Sequence, residues 1–366
     1  MAYTTIDDPS AYFHTQLYTG NGSSGLSITN DANAGNFQPD LLWISPRSNG
    51  DNNTIWDSSR TSLKRSKVND TDAEDSNDPP LVTFESDGFD LDTTDTNWNG
   101  SSRTYVAWQW KANGGTTTTN DASSTSVGSI DSVYQANTTA GFSIVTYTGT
   151  GSAATVAHGL GVKPEWIVIK NRGKDEGWAV YHGANTSAPE TDGLSLNSTN
   201  ATSDSADYWN DVAPTTTTFS VAADDRSGGS YNFVAYVFNS VQGYSKFGSY
   251  TGNGNANGPF IYLGFKPAFL IMKETTGTGN WAIIDSTRST HNVGNHTLAA
   301  NSNNNEAAFG DGASVDGDYN RIDLLSNGFK IRDNSAYNNG SGDTYVYMAF
   351  AESPFVTSNG TPNNAR

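Results

Sequence analysis

The stretch Phe37-Gln38-Pro39-Asp40-Leu41-Leu42-Trp43-Ile44 occurs three times in this chain, in closely related forms. The second copy is Val162-Lys163-Pro164-Glu165-Trp166-Ile167-Val168-Ile169, and the third is Phe265-Lys266-Pro267-Ala268-Phe269-Leu270-Ile271-Met272. Each copy is an apolar run that begins just after a proline, a pattern typical of a buried strand, where the proline removes no ladder hydrogen bond. The prolines are 125 and 103 residues apart, and a spacing of about 100 residues is the size of a domain. The sequence therefore predicts three copies of one small domain.

The spacing of other residues within the copies is equally regular. A Tyr-Thr-Gly-x-Gly turn precedes each copy, and an aromatic strand such as Tyr105-Val106-Ala107-Trp108 follows each copy near the end of the unit. Two further positions recur at fixed distances from the proline. They are Asn53, Trp178 and Trp281 at fourteen residues, and Asp57, His182 and Asp285 at eighteen. Equal spacings indicate equal strand and loop lengths, and hence one fold.

These landmarks divide the chain into segments. They are an N-terminal arm (1–11), unit 1 (12–113), a Thr/Ser-rich linker (114–140), unit 2 (141–242), unit 3 (243–355) and a polar tail (356–366). Asp87-Gly88 and Asn327-Gly328 predict hairpins in units 1 and 3, whereas unit 2 lacks the glycine at this point, so its turn should differ. We expect an all-β protein of three tandem antiparallel β-sandwich-like units of seven to eight strands each, with the linker extended and flexible.

Composition excludes several classes of function. The net charge is −18, which argues against a nucleic-acid partner, because such binding needs basic patches. The chain has no cysteine, which excludes disulfides and thiolate sites. No stretch approaches eighteen apolar residues, so we expect no membrane insertion. The first residues lack the pattern of a signal peptide, so the sequence predicts no export.

The sequence indicates no catalytic residue and no metal ligand. It contains no Gly-x-Ser-x-Gly motif, and none of its five histidines falls in a metalloprotease motif. Asp90, Asp92 and Asp95 lie close together, as glycosidase carboxylates could, but units 2 and 3 do not repeat them. The pairs Asp57/Arg60 and Asp285/Arg288 are interpreted as local ion pairs that brace a loop, worth about 0–1 kcal/mol if exposed.

Two kinds of loop offer candidate binding sites. Residues 70–75 and 311–318 are rich in carboxylates and could bind Ca²⁺, although neither has the spacing of an EF-hand; the alternative is an acidic, solvated loop. Aromatic side chains among Asn and Asp residues resemble a sugar-stacking surface, and the alternative is that they cap the ends of the sandwiches or pack at a subunit interface. These candidate ligand-binding residues are Trp98, Tyr208, Trp209 and Tyr337. No cofactor is expected beyond Ca²⁺.

A resemblance to a known family rests on five motifs taken together. They are the proline-strand motif, the Trp-Ala-Val/Ile-x-His/Asp strand, the Asp-Ser-x-Arg motif, the Ser-Asp/Asn-Gly-Phe hairpin and the Tyr-Val-Ala-aromatic strand. The chain resembles a repeated domain of uncharacterised function found in structural proteins of marine tailed bacteriophages, over about residues 3–355. The resemblance implies a virion component that is assembled in the cytoplasm of the host cell, and it supplies no catalytic residue. Unit 2 departs from the pattern at the Asp-Ser-x-Arg motif and at the hairpin glycine.

The resulting expectation is a non-enzymatic virion protein exposed on the particle, either a head decoration or cement protein or a surface appendage. The alternatives are a tail fibre or receptor-binding protein that recognises a host surface glycan and, more remotely, a polysaccharide-active enzyme. By strand alternation Trp108 and Trp110 point to one face of their sheet and Tyr105 to the other. One of these faces needs a cover, so we expect a homo-oligomer or a contact with other virion proteins. The arm 1–10 could pair with a neighbour's sheet edge.

Overall fold

The structure is a computed structural model, and it describes residues 2–31, 36–60, 64–76, 81–294, 296–306 and 321–362. The described chain is all-β, as predicted, and its α-helices are four single turns of four residues each. Each unit contains a large inner sheet and a small outer sheet, and all named strand pairs are antiparallel. The β-sandwich prediction is thus consistent with the observed layers.

The inner sheet of each unit places the aromatic strand between the edge strand and the proline-motif strand. In unit 1 the order is β1 (Phe13–Thr19), β9 (Thr104–Trp110), β3 (Leu41–Pro46), β4 (Thr54–Asp57), β5 (Lys64–Lys67) and β6 (Asp75–Ser76). In unit 2 the corresponding order is β12 (Phe142–Thr148), β19 (Asn232–Phe238), β14 (Trp166–Asn171), β15 (Ala179–His182), β16 (Asp192–Ser195) and β17 (Ser203–Asp204). In unit 3 it is β20 (Ser245–Thr251), β27 (Thr344–Pro354), β22 (Phe265–Glu274), β23 (Ala282–Asp285) and β24 (Leu298–Ala299).

The outer sheets confirm the predicted hairpins of units 1 and 3 and the prediction that unit 2 differs at this point. Unit 1 has β2 (Leu26–Thr29), β8 (Gly88–Leu91) and β7 (Val82–Glu85), and unit 3 has β21 (Phe260–Tyr262), β26 (Gly328–Ile331) and β25 (Ile322–Leu325). Unit 2 has two strands, β13 (Ala154–Ala157) and β18 (Thr218–Val221). A Cβ at Gly88 would lie 2.1 Å from the Ile28 carbonyl oxygen, and one at Gly328 would lie 2.1 Å from that of Ile261. Glycine is required there because the neighbouring strand passes too close for any side chain.

The segment 114–140 is not the extended, flexible linker that its composition predicts. It contains β10 (Thr118–Asn120), the helical turn α2 (Ala122–Thr125) and β11 (Ser132–Asn137). β11 pairs with the edge strand β12 over six residues, and β10 pairs with β11. Backbone hydrogen bonds to an existing edge hold a strand in place even where its side chains are mostly polar. The unit 2 sheet therefore extends to eight strands.

The three inner sheets face one another and share a single hydrophobic core. Its buried members come from all three units and include Trp108 and Trp110, Trp166 and Phe238, and Phe269 and Phe350. The Phe269 ring lies 5.6 Å from the rings of Trp108 and Trp110, and the Phe238 ring lies 6.0 Å from that of Phe350. A cavity of about 30 Å³ lies among these residues. We call this shared centre the central core.

The opposite face of each inner sheet packs against its own outer sheet. Tyr105 and Ala107 enter the outer core of unit 1, while Val106, Trp108 and Trp110 enter the central core. The predicted alternation is confirmed, and the motif residues Leu41, Trp166 and Phe269 are buried as expected. The second apolar face is covered by the other two units of the same chain. That face therefore gives no reason to expect an oligomer, which stays a prediction without this support.

The N-terminal arm binds to its own chain. The Tyr3 hydroxyl donates to the Gly264 carbonyl oxygen at 2.8 Å, and Thr4 Oγ1 donates to the Gln242 carbonyl oxygen at 2.8 Å. Ile6 is buried in the central core, and Asp7 accepts from the Ser358 backbone N–H at 2.6 Å. Units 2 and 3 and the C-terminal tail thus hold these residues within the chain itself, and pairing of the arm with a neighbour's sheet edge stays a prediction.

Candidate functional site

The predicted glycan-binding aromatics lie on short helical turns at the ends of the sandwiches, and three of the four are buried. Trp98 on α1 (Thr96–Asn99) is 4% exposed and packs edge-on against Trp56 at 5.4 Å. Tyr208 and Trp209 on α3 (Ala206–Trp209) are buried in the outer core of unit 2. These three rings have no free face for a sugar, so that prediction is wrong for them. Tyr337 on α4 (Ala336–Asn339) is 44% exposed and stands apart from the others.

The predicted calcium loop at 70–75 is an ion-pairing segment in the structure. Asp72 accepts from Lys67 Nζ at 2.5 Å, and Asp75 accepts from Arg65 at 2.5 Å. Within the described residues there is no group of three His, Asp or Glu side chains able to hold a metal ion. The second candidate loop, 311–318, lies outside the described residues. Of the glycosidase candidates, Asp95 is the N-cap of α1, where it accepts from the Asn97 backbone N–H.

The most distinctive polar residues of the chain lie where neighbouring units meet. We call these three contacts seams, and one backbone hydrogen bond repeats in all of them. In the 1–2 seam Glu74 N donates to Arg172 O at 3.1 Å, in the 2–3 seam Thr202 N donates to Thr275 O at 3.0 Å, and in the 3–1 seam Glu306 N donates to Arg47 O at 3.1 Å. The three units therefore form a closed, cyclic arrangement with approximate threefold equivalence.

The 1–2 seam contains a buried ion cluster built on the Asp-Ser-x-Arg motif of unit 1. Arg60 Nε lies 2.5 Å from Asp57 Oδ2, and Arg60 Nη1 lies 2.9 Å from Glu74 Oε2. From unit 2, the Tyr236 hydroxyl donates to Asp57 Oδ2 at 2.8 Å, and Arg172 Nε donates to Glu74 Oε2 at 2.7 Å. The side chains of Asp57 and Arg60 are fully buried, so the predicted exposed pair is instead part of an interface between units.

The 3–1 seam repeats this cluster with related chemistry. Arg288 Nε lies 2.5 Å from Asp285 Oδ2, and Arg288 Nη1 lies 3.1 Å from Glu306 Oε1. From unit 1, Trp108 Nε1 donates to Asp285 Oδ2 at 3.1 Å, and Arg47 Nε donates to Glu306 Oε1 at 2.8 Å. Trp108 thus occupies the place that Tyr236 has in the 1–2 seam. Burial raises the pKa of Glu306, but the nearby Arg288 and Arg47 outweigh it and hold that pKa below its usual value.

The 2–3 seam replaces the ion cluster with neutral groups. Met348 takes the place of Trp108 and has no N–H or O–H to donate, and His182 takes the place of the aspartate. His182 Nε2 donates to the Tyr347 carbonyl oxygen at 3.0 Å, while its Nδ1 accepts from the Ala184 backbone N–H at 3.0 Å. Burial lowers the pKa of His182 to about 4, so the ring is neutral at pH 7. A polar but uncharged residue fits a seam whose partner strand offers only a carbonyl oxygen.

The position fourteen residues after each proline also bonds across a seam. Trp178 Nε1 of unit 2 donates to Lys67 O of unit 1 at 2.9 Å, and Trp281 Nε1 of unit 3 donates to Ser195 O of unit 2 at 2.9 Å. In unit 1, Asn53 Nδ2 donates to Ala299 O of unit 3 at 3.0 Å. The sequence had shown that these positions are equivalent. The structure adds that each carries a side-chain N–H to the next unit.

Two buried lysines also cross the seams. Lys170 Nζ donates to the carbonyl oxygens of Thr71 and Glu176 at 2.8 and 2.5 Å, and Lys273 Nζ donates to those of Thr199 and Glu274 at 3.2 and 2.5 Å. Burial lowers the pKa of each lysine to about 8. Their amines are occupied by backbone oxygens of two units. They are thus arranged to join units rather than to act on a substrate.

Grooves open to solvent run along two of the seams. The groove of the 3–1 seam has a volume of about 470 Å³ and is lined by residues including His14, Lys266 and Ser286. The groove of the 2–3 seam has a volume of about 390 Å³ and is lined by residues including Lys163, Glu165 and Phe247. Each of these two grooves is large enough to receive a small ligand or part of a peptide.

The chain itself fills the corresponding place in the 1–2 seam. Asp40 accepts the backbone N–H groups of Ala112, Gly114 and Gly115 at 2.7 to 2.9 Å. Gln135 of β11 donates to the hydroxyls of Ser58 and Ser59, both at 2.9 Å. The segment after unit 1 therefore occupies one groove of the three, with backbone amides and a side-chain amide as the contacting groups.

The described part of the chain contains no helix long and apolar enough to cross a membrane. Comparison with known proteins identifies one family, a domain of unknown function (DUF7483), whose match covers residues 8–354. The chain belongs to this family, and the match spans all three units. Neither a curated protein nor a solved structure matches the chain.

Proposed function

We propose that this protein is a non-enzymatic structural component of a bacteriophage virion, exposed on the particle, with a head decoration or cement role preferred. The observation that carries the proposal is the closure of three equivalent units around one central core. In a closed ring every interface between units is already occupied, so the ring cannot grow into a filament. It forms a compact block with three similar outer faces, which suits attachment to a larger assembly.

The chemistry of the seams supports a structural role. The buried charged side chains at the seams, Asp57, Arg60, Asp285 and Arg288, are each compensated by protein partners. Groups that are saturated in this way hold units together, whereas catalytic groups need an open side toward a substrate. The net charge of −18 keeps such a block soluble before assembly. The resemblance to repeated domains of phage structural proteins supports the same role.

The approximate threefold arrangement suggests how the protein would sit on a particle. One chain that presents three similar faces matches a platform with local threefold symmetry, which a capsid surface provides. The units differ in detail, so one of the three contacts would be stronger than the others. At such a position one chain of this protein would take the place that three chains of a symmetric trimer would otherwise take.

Gold-labelled antibody against the protein, applied to intact particles of the virus that encodes it, tests the proposal. We expect label distributed over the head. Label confined to the tail would support the alternative, a tail fibre or receptor-binding protein, for which the two open seam grooves are the candidate glycan sites. Absence of label from purified particles would overturn the virion role. Release of reducing sugars from host polysaccharide by the purified protein would favour the remote enzymatic alternative.

A further inference from the structure

Unit 2 shows how an added strand closes the open edge of one of these sandwiches. β11 pairs with the inner-sheet edge β12, so that Thr146 lies opposite Val133 and Ile144 opposite Gln135. Just before β11, the backbone N–H groups of Ser129 and Ile130 donate to the Thr155 carbonyl oxygen of the outer-sheet edge β13. The segment 127–137 therefore covers both edge strands of the unit 2 sandwich.

The later part of the same edge in unit 3 has no such cover among the described residues. β20 pairs with β27 on one side; on the other side only its start is bonded, where Ser245 pairs with Val241 and the Phe247 backbone N–H donates to Ser240 Oγ, and β21 pairs only with β26. Gly252 N donates to Asp343 O, which fixes the alternation along β20 and directs the backbone N–H and C=O of Ser249 and Thr251 away from β27. These groups correspond to those of Thr146 and Thr148 in β12.

The side chains beside this edge are more exposed in unit 3 than in unit 2, as expected where no strand covers the edge. Phe260 and Tyr262 of β21 are 46% and 49% exposed. Their counterparts in β13 are Thr155 and Ala157, and Ala157 is buried. Lys246 Nζ donates to the Tyr262 carbonyl oxygen at 2.7 Å and lies over its ring. The unit 3 edge thus combines free backbone groups with an exposed aromatic pair, and the groove of the 2–3 seam begins at its Phe247.

Unit 1 presents a less open edge at the equivalent strand. The C=O of Leu17, which corresponds to that of Ser249, accepts the side-chain amide of its neighbour Gln16 at 2.9 Å. A side chain that caps its own edge reduces pairing with another chain. Its outer-sheet edge residues Ser27 and Thr29 are polar, where unit 3 has Phe260 and Tyr262. Of the three units, unit 3 therefore has the sandwich edge that is most open to an added strand.

We propose that β20 of unit 3, with the Phe260/Tyr262 pair of β21, binds an extended peptide segment of a partner protein by strand addition. The occupant has the chemistry of residues 127–134, which cover the equivalent stretch of edge in unit 2: a polar strand with alternating aliphatic or aromatic residues. Main-chain hydrogen bonds to Ser249 and Thr251 would supply affinity, and the aromatic pair would supply specificity. This surface is independent of whether the protein sits on a head or a tail.

The test uses a fluorescent peptide with the sequence of residues 127–134 as the probe and the full-length protein as the receptor. Fluorescence anisotropy gives the affinity, and hydrogen exchange followed by mass spectrometry gives the location. We expect saturable binding with one peptide per chain and added protection confined to residues 245–262. The unit 2 strand β12 should show no change, because the chain's own β11 already covers it.

Two variants and a matched control decide the result. Ser249→Pro removes an outward N–H that no other residue uses, and Phe260→Ser removes half of the aromatic pair; each should weaken binding at least tenfold. Val212→Ser alters a similarly exposed apolar residue of unit 2 and should leave the affinity unchanged. Because Phe260→Ser leaves the backbone unaltered, it keeps the test valid if the proline variant fails to fold. Absence of binding, protection at β12 in place of β20, or unchanged affinity in Phe260→Ser would each overturn the proposal.

Discussion

Replacing Arg60 by methionine should destabilise the whole chain, because this side chain joins three groups from two units at the 1–2 seam. The substitution removes its bonds to Asp57 at 2.5 Å, Glu74 at 2.9 Å and the Tyr236 hydroxyl at 3.1 Å. Removing one partner of a buried ion pair costs about 3–5 kcal/mol, since an uncompensated charge stays behind.

The remaining partners place the expected cost at the lower end of that range. Asp57 keeps its bonds from the Tyr236 hydroxyl and the Ser59 backbone N–H, and Glu74 keeps Arg172. We therefore expect a loss of about 3 kcal/mol in the free energy of unfolding. Urea denaturation at pH 7, followed by tryptophan fluorescence, measures this loss, and the transition should stay single because the units share one core.

Two further variants make the measurement interpretable. Lys174→Met breaks an ion pair with Asp225 in which the two side chains are 41% and 35% exposed, and solvent screening should make its cost much smaller than that of Arg60→Met. The double variant Asp57→Asn/Arg60→Met leaves no buried charge on Asp57 and should be more stable than Arg60→Met alone. If Arg60→Met costs no more than Lys174→Met, the seam clusters do not hold the units together. If the wild-type protein unfolds in separate transitions, the central core is not cooperative.

Three further outcomes are expected. Burial lowers the pKa of His182 from 6.5 to about 4, so the folded state binds that proton more weakly than the unfolded chain. The free energy of unfolding should therefore have its full value above pH 6.5 and decrease as the pH falls toward 4. Guanidinium chloride denaturation at several pH values should show a weaker pH dependence of this free energy for His182→Gln. Trp281→Phe removes the donor to Ser195 O across the 2–3 seam and should cost about 1–2 kcal/mol in chemical denaturation, while an unchanged midpoint would show that this bond contributes nothing. Ile6→Ala should lower the free energy of unfolding by about 2–4 kcal/mol, because Ile6 is 2% exposed in the central core. The control is Val162→Ala at an exposed site, and equal thermal midpoints for the two variants would contradict the docking of the arm.

The local fold was predictable because its determinants are close together in the sequence. A proline followed by an apolar run gave the central strands, and Asp87-Gly88 and Asn327-Gly328 gave the hairpins. The aromatic alternation of Tyr105 and Trp108 gave the two buried faces of a sheet. Each of these inferences depends on backbone geometry within one short segment, so a single sequence is sufficient for it.

The arrangement of the units was not predictable in the same way. Asp57 is bound by Tyr236, and Trp281 by Ser195, and no rule of spacing connects residues that lie 179 or 86 positions apart. The surplus apolar face of the aromatic strands showed that a cover was needed but not that the chain supplies it. A useful indication was present in the equal spacing of positions fourteen and eighteen after each proline. Polar or tryptophan residues held at equivalent points of three copies indicate a repeated contact.

The loop aromatics show the opposite error, in which local composition was misleading. Asn and Asp around Trp98 and Trp209 suggested solvent exposure, yet these residues serve as caps and turn formers. Asp95 and Ser205 each accept a backbone N–H at the start of a helical turn, and this turn directs the following ring into the outer core. The same error affected residues 114–140, where Ser and Thr suggested flexibility but β11 is fixed by the edge of β12.

Because the three copies are joined in one chain, each seam can have its own residues, and the three sides of the ring can then be told apart by a partner. In a symmetric trimer every substitution appears at all three interfaces, so an Asp–Arg pair could not be exchanged for His182 at one of them alone. Here the exchange accompanies Met348, whose thioether cannot donate to an aspartate. The same freedom allows residues 127–137 to close unit 2 while unit 3 keeps an exposed edge at Ser249. A partner that binds this edge would bind each molecule in one orientation only, although the three inner sheets of the molecule are nearly equivalent.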